Sequence, residues 1–226
     1  MKYTWLLFDA DDTLFDFPQA EANALRWTLE QSNLPFRPEF FGIYSRYNQQ
    51  VWKEFERGEV TSLELRVKRF RLFFEEVGLA GDPEAVSPFY LQNLALGADL
   101  LPGAEEVIRA VQKGRFHLAL VTNGLKDVQR PRLERSALRD SFEHVFISEE
   151  IGAAKPSRDY FEAVFRGIGG PPKESVLLIG DSLTSDMRGG VDYGIDTCWY
   201  NPSGKTTDLP VTYQIDRLVE LVALLG

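Results

Sequence analysis

The sequence predicts an α/β protein, a doubly wound parallel sheet with an inserted α-helical domain. Three observations carry that expectation. Short, nearly continuous apolar runs occur once near the N-terminus and repeatedly after residue 115, as suits strands covered on both faces. Helical patterns alternate with the later runs, which argues for parallel strands joined by crossover helices. Residues 16–92 break the alternation with long amphipathic patterns.

In chain order, the first strand is expected over residues 3–8, ending in Asp9-Ala10-Asp11-Asp12-Thr13. Helical patterns then cover 20–30, 39–57, 63–77 and 84–96, with breaks at Pro35, Pro38, Gly58 and residues 78–83. A helix over 104–112 places Glu105 and Glu106 at its positive N-terminal end. Strands are expected at 116–121, 144–147 and 176–179, with a weaker one at 197–200. Helices are expected at 127–137, 158–165 and 216–224, the last with Ile215, Leu218, Val219 and Val222 as its apolar face. The expected division is a core of residues 1–15 and 93–226 and a helical domain of residues 16–92.

Composition narrows the function. The chain has 226 residues, 44% of them apolar, enough for one core carrying a smaller insertion. It has no run of eighteen apolar residues, no signal-peptide pattern and no lipidation box, so it reads as neither exported nor anchored, hence cytoplasmic with no membrane partner. Its single cysteine, Cys198, excludes an internal disulfide framework and a cysteine-rich zinc site, and its apolar surroundings predict a buried structural thiol. With 34 acidic against 25 basic residues the net charge is −9, which argues against a nucleic-acid polymer as partner. A small phosphorylated metabolite can still bind where the site holds its own cations.

Polar signals stand at the ends of the expected strands or in the loops beyond them. Asp9 and Asp11 follow the first, Thr122-Asn123-Gly124 the second, Lys155-Pro156 lies shortly after the third, and Gly180-Asp181 with Asp186 follows the fourth. Singly, each has an ordinary reading: a solvated turn, a strand exit, a surface lysine, a helix cap. In an open parallel sheet, however, ligands bind beyond the carboxyl ends of the strands, so the order predicts convergence on one spot. Crowded carboxylates repel by about 4 kcal/mol per close pair at an effective dielectric near 20, and stay ionised together only beside a cation. Carboxylate and carbonyl oxygens without nearby His or Cys favour magnesium, Mg2+. Thr122, the amides of Asn123 and Gly124, and the Lys155 ammonium are donors suited to phosphate oxygens. One carboxylate is left to attack phosphorus.

The pattern Asp9-x-Asp11-x-Thr13, Thr122, Lys155-Pro156 and Gly180-Asp181-x4-Asp186 resembles the four motifs of the haloacid dehalogenase superfamily, in order. The resemblance implies a Rossmann-like core, and residues 16–92 fall where many members carry a helical cap. It implies that Asp9 is a nucleophile forming an aspartyl-phosphate and a metal ligand. Asp11 would be the general acid-base residue, with its carbonyl on the metal. Thr122 and Lys155 would bind phosphate, with Lys155 also restraining Asp9. Asp181 would be a direct metal ligand, and Asp186 a second acidic ligand acting directly or through water and Lys155. Stretches such as Phe8-Asp9-Ala10-Asp11-Asp12-Thr13-Leu14-Phe15, Ile147-Ser148-Glu149-Glu150-Ile151-Gly152 and Thr197-Cys198-Trp199 are similar to bacterial cytosolic 5′-nucleotidases of the superfamily. This implies a nucleoside 5′-monophosphate substrate. The core motifs equally admit a sugar-phosphate or phosphoglycolate-type phosphatase, and leave open a phosphomutase or a non-catalytic phosphate-binding protein. Monomer and homodimer both remain open. His117 and His144 lack a partner motif and read as structural, and Arg66, Lys68, Arg69 and Arg71 read as a solvated face of a cap helix.

Overall fold

The computed structural model describes residues 2–114 and 116–226; Met1 and Arg115 lie outside the described residues. Two compact units are present. One consists of residues up to 16, 98–126 and 133–226, and the other of 17–97 with 127–132. The helical unit thus ends at residue 97, five positions beyond the expected 92, and includes part of a later helix. Its last long helix runs on through Leu94, and the turn after it still packs inside the unit: a Cβ on Gly97 would collide with Ala20.

The core unit is built on six parallel strands, β1 (Trp5–Phe8), β2 (His117–Thr122), β3 (His144–Ile147), β4 (Val176–Gly180), β5 (Asp196–Tyr200) and β6 (Tyr213–Ile215), in the order β3-β2-β1-β4-β5-β6. The expected doubly wound parallel sheet is therefore observed. Strand alternation divides β1 between two cores. Leu6 and Phe8 pack on one face with Ile108, Leu120 and Ile179, while Trp5 and Leu7 pack on the other with Val121, Leu178 and Phe161. Apolar surface on both faces explains why β1, β2 and β4 read as unbroken hydrophobic runs.

The helical unit contains α1 (Phe17–Gln31), α2 (Glu39–Glu56), α3 (Ser62–Val77) and α4 (Pro83–Leu94). Its punctuation follows local chemistry. Thr61 and Glu64 form a reciprocal capping box at the start of α3, and Gly78 ends it at φ 67°. Asp82 caps α4, with Pro83 at its first position. Phe40, Tyr44, Phe70, Phe73, Phe74 and Tyr90 form the aromatic core.

The core unit adds α5 (Ala104–Lys113), and α6 (Lys126–Arg135) is shared between the units. Then come α7 (Ser148–Ile151), α8 (Arg158–Gly167), α9 (Arg188–Tyr193) and α10 (Glu220–Leu225).

Three expectations need correction. Residue 215, assigned to an apolar helix face, is the buried end of β6, and the closing helix begins only at Glu220. The spacing of Ile215 with Leu218 mimics a helix, but both side chains reach the same core from a strand and the turn after it. Arg69 is not solvated: it is 1% exposed, and its Nη1 donates to Asn48 Oδ1 at 3.1 Å. Leu65, Arg69 and Phe73 recur at a spacing of four, so Arg69 lies on the buried stripe of α3. There its guanidinium stacks over the Tyr90 ring at 4.6 Å, while Asn48 donates to Glu21 at 2.7 Å. Arg66 and Lys68 are not simply solvated either, since they pair with Asp127 and Glu54.

Candidate active site

The site grows from the carboxyl ends of β1, β2 and β4. Register places Phe8 beside both Leu120 and Ile179, so the residues that follow, Asp9, Val121 and Gly180, stand side by side where β1 ends. The β4 alignment continues through the Asp9 amide, which donates to the Ile179 carbonyl at 2.9 Å. The chain then turns tightly: the Ala10 carbonyl accepts from both Leu14 and Phe15, each at 2.9 Å, and Asp12 takes a left-handed φ of 61°. Aspartate tolerates that conformation better than most residues, so Asp12 serves the turn. Asp11 stands half-buried on the same loop.

Lys155 is the hub. Its Nζ donates to Asp9 Oδ1 at 2.6 Å, to Asp186 Oδ1 at 2.6 Å and to the Val121 carbonyl at 2.8 Å. An ammonium group has three N–H bonds, and all three are used. Donation to a phosphoryl oxygen would require breaking one of them. In this arrangement Lys155 restrains Asp9 and supplies fixed positive charge.

Asp186 lies on the π-helical turn Leu183–Met187, whose last three amides are met by Ser182: its carbonyl accepts from Asp186 and Met187, and its hydroxyl from Ser185. The Ser182 amide in turn donates to Asp186 Oδ2 at 3.1 Å. Any Cβ at residue 180 would strike this carboxylate, which explains the glycine. Asp181 is held through its carbonyl by the Trp199 indole N–H at 2.9 Å, and its Oδ1 accepts from Thr13 Oγ1 at 3.4 Å.

Carboxylate oxygens of Asp9, Asp181 and Asp186 lie within 4.8 Å of one another. Three carboxylates against one ammonium leave two uncompensated negative charges, and the donors are hard oxygens. That set fits a divalent oxygen-seeking cation such as magnesium. Proton affinities agree. Burial, with repulsion from Asp186 and Asp11, pushes the Asp9 carboxyl up to about 8 despite the opposing pull of Lys155. Burial and the charges of Asp9 and Asp186 push Asp181 well above the ordinary range. For Lys155, burial works to lower the value, but Asp186 and Asp9 outweigh it and hold the ammonium charged.

Asp9 is raised above its ordinary 3.8, so between pH ~4 and ~8 the metal-free folded protein keeps a proton that the unfolded chain has lost. Stability with a chelator present should therefore fall as pH rises through that window, by on the order of 5 °C in melting temperature. Magnesium should restore it, increasingly at the upper end, because it replaces the proton. Thermal melts of the protein and of Asp9→Asn across this range check the claim; an identical slope in both would refute it.

Thr122 and Asn123 behave differently from one another. Thr122 is buried, and its Oγ1 accepts the Gly124 amide at 3.0 Å, so that amide is already engaged. The Asn123 side chain is committed to Lys155: Oδ1 accepts the Lys155 amide and Nδ2 donates to the Lys155 carbonyl, each at 2.8 Å. Sequence reasoning missed Trp199 and the Val121 carbonyl as supports. Only Trp199 left a signal, since a buried indole N–H needs an acceptor. His117 stacks on Trp5 and pairs with Glu143 at 2.8 Å, at the opposite ends of the strands from Asp9. Cys198 is buried, which pushes its thiol up to about 12 and leaves it unreactive.

The family profile for haloacid dehalogenase-like hydrolases matches residues 3–194. The chain is 40% identical to the HAD-hydrolase YfnB of Bacillus subtilis, covering all of this chain and 96% of that protein. A magnesium-bound crystal form of YfnB, in which interdomain movement is seen, superposes with a TM-score of 0.93 at 39% identity, covering all of both chains. The pyrimidine 5′-nucleotidase YjjG of Escherichia coli is 34% identical, over all of this chain and 99% of its own length. The pyrimidine 5′-nucleotidase PynA of Streptococcus pneumoniae is 35% identical over 98% of this chain and 94% of its own. Asp9, Lys155, Asp181 and Asp186, gathered at the strand ends, and a family match spanning most of the sequence, agree: this chain is a hydrolase of the haloacid dehalogenase-like family.

Proposed function

We propose that the protein is a magnesium-dependent phosphomonoester hydrolase that works through an aspartyl-phosphate on Asp9, with a nucleoside 5′-monophosphate as substrate. The observation that carries this reading is the buried Lys155 ammonium bridging Asp9 and Asp186 at 2.6 Å beside Asp181. It fixes one carboxylate at the mouth of the sheet and leaves a charge deficit that suits a divalent cation.

Asp9, Asp181 and Asp186 would hold the metal, with the Asp11 carbonyl as a further ligand. When bound, magnesium supplies positive charge that keeps Asp9 ionised and draws electron density from the phosphoryl oxygens. The Asp9 carboxylate attacks phosphorus, forming an O–P bond as the ester P–O bond breaks. Asp11 gives its proton to the departing ester oxygen, then accepts one from the water that attacks the aspartyl-phosphate. Phosphate leaves and Asp9 is regenerated. Throughout, Lys155 holds Asp9 in line.

The nucleotide assignment draws on the named activities of YjjG and PynA and on the full-length similarity to them. Among the described residues no helix is long and apolar enough to cross a membrane. The test is phosphate release from a panel of nucleoside monophosphates and sugar phosphates, with magnesium and with a chelator. Magnesium-dependent turnover favouring pyrimidine nucleotides is expected. Preference for sugar phosphates would overturn the substrate and keep the chemistry; no turnover of any phosphomonoester would overturn both.

A further inference from the structure

The three donors of Lys155 are exhausted by Asp9, Val121 and Asp186, so the position of Asp9 depends on where the backbone places Lys155. Lys155 lies in an irregular segment after α7, outside the sheet ladder. Such a segment needs a partner to fix it, and one is present. The Asn123 carboxamide meets both main-chain polar groups of Lys155, accepting from the amide and donating to the carbonyl, each at 2.8 Å. It thereby reproduces with a side chain the paired bonds that one strand residue exchanges with its neighbour. Asn123 is itself anchored: it follows β2 directly, and its carbonyl accepts from Ser148 Oγ at 3.0 Å.

We infer that Asn123 is a positioning residue, whose side chain locks the Lys155 backbone and so aligns the Asp9 carboxylate, rather than a side chain that binds phosphate. This deepens the proposed function and rests on it. Both loops leave the sheet independently, Thr122 from β2 and Lys155 beyond β3 and α7. The carboxamide ties them together within one residue of Thr122 and on Lys155 itself. Because Lys155 acts on the nucleophile, loosening it should affect the chemical step more than substrate capture.

The test uses the full-length, magnesium-loaded protein and two variants. Asn123→Ala removes both arms of the clamp. Asn123→Asp keeps the acceptor for the Lys155 amide and loses the donor to its carbonyl. For Asn123→Ala, kcat should fall by about 10–100-fold while KM changes by less than about threefold. The Lys155 amide, followed by hydrogen exchange, should lose at least about tenfold of its protection. Asn123→Asp should keep that protection and show an intermediate kcat, a graded rescue that loss of packing would not produce. A folded Asn123→Ala with kcat within about twofold of wild type, or with its defect confined to KM and to inhibition by inorganic phosphate, overturns the inference. If Asn123→Ala does not fold, Asn123→Asp carries the test: a wild-type kcat there overturns it. Wild-type protein inert toward every phosphomonoester would instead overturn the functional reading, while amide exchange at Lys155 still tests the clamp.

Discussion

Replacing Asp9 by Asn is expected to lower kcat by at least about 10⁴-fold while leaving the protein folded. The change is nearly isosteric, and it keeps an oxygen that can accept from Lys155 Nζ, now at 2.6 Å. What it removes is the proposed nucleophile and one ionisable group from a cluster of three carboxylates. Relief of that repulsion should hold or raise the melting temperature of the metal-free protein, since burial and repulsion from Asp186 and Asp11 already push Asp9 up to about 8. Activity and stability should therefore move in opposite directions. Steady-state turnover and a thermal melt on one preparation decide it. A destabilised variant would show that Asp9 is chiefly structural, and surviving turnover would show that another group attacks phosphorus.

Lys155→Met should be the most destabilising single change at the site. The ammonium is 1% exposed and compensates two carboxylates that are themselves nearly inaccessible. Removing one member of a buried charge pair costs about 3–5 kcal/mol, because the remaining charge is stranded. Without metal, Asp9, Asp181 and Asp186 would face one another with no cation, and urea unfolding should show a loss of that size. Saturating magnesium should recover part of it. Turnover should stay low even then, because Asp9 has lost the bond that orients it. Lys155→Arg should not restore activity, since a planar guanidinium cannot direct three bonds as this ammonium does. Equal stability of Lys155→Met and wild type in chelator would contradict the charge count.

Much of this architecture was legible in the sequence because its signals are local. The apolar runs of β1, β2 and β4 end at the residues that form the site, and strand order does the rest. The strand that escaped, β6, is three residues long, with only Ile215 buried; so short a strand carries no period of its own, as is true of the short helices α7 and α9. Arg69 was misread because charge suggested solvent, although its spacing from Leu65 and Phe73 marked the buried face of α3. The carboxylates of Asp9, Asp181 and Asp186, three of the four residues assigned by sequence as metal ligands, lie close together, yet the division of labour at the site depends on bond directions that spacing does not encode. Asn123 is the clearest case: the sequence points only to its backbone amide as a phosphate donor, and gives no sign that its carboxamide faces the Lys155 backbone.

The central claim is that Asp9 itself becomes phosphorylated. Acid quench of the magnesium-loaded enzyme during turnover of a favoured nucleotide, followed by mass spectrometry of its peptides, tests this most directly. Asp11→Asn run in parallel would slow breakdown of the adduct. A phosphoryl adduct on the Asp9 peptide, forming no slower than turnover and absent from Asp9→Asn, is the predicted result. Turnover with no adduct in either enzyme, or an adduct on another residue, would contradict the account.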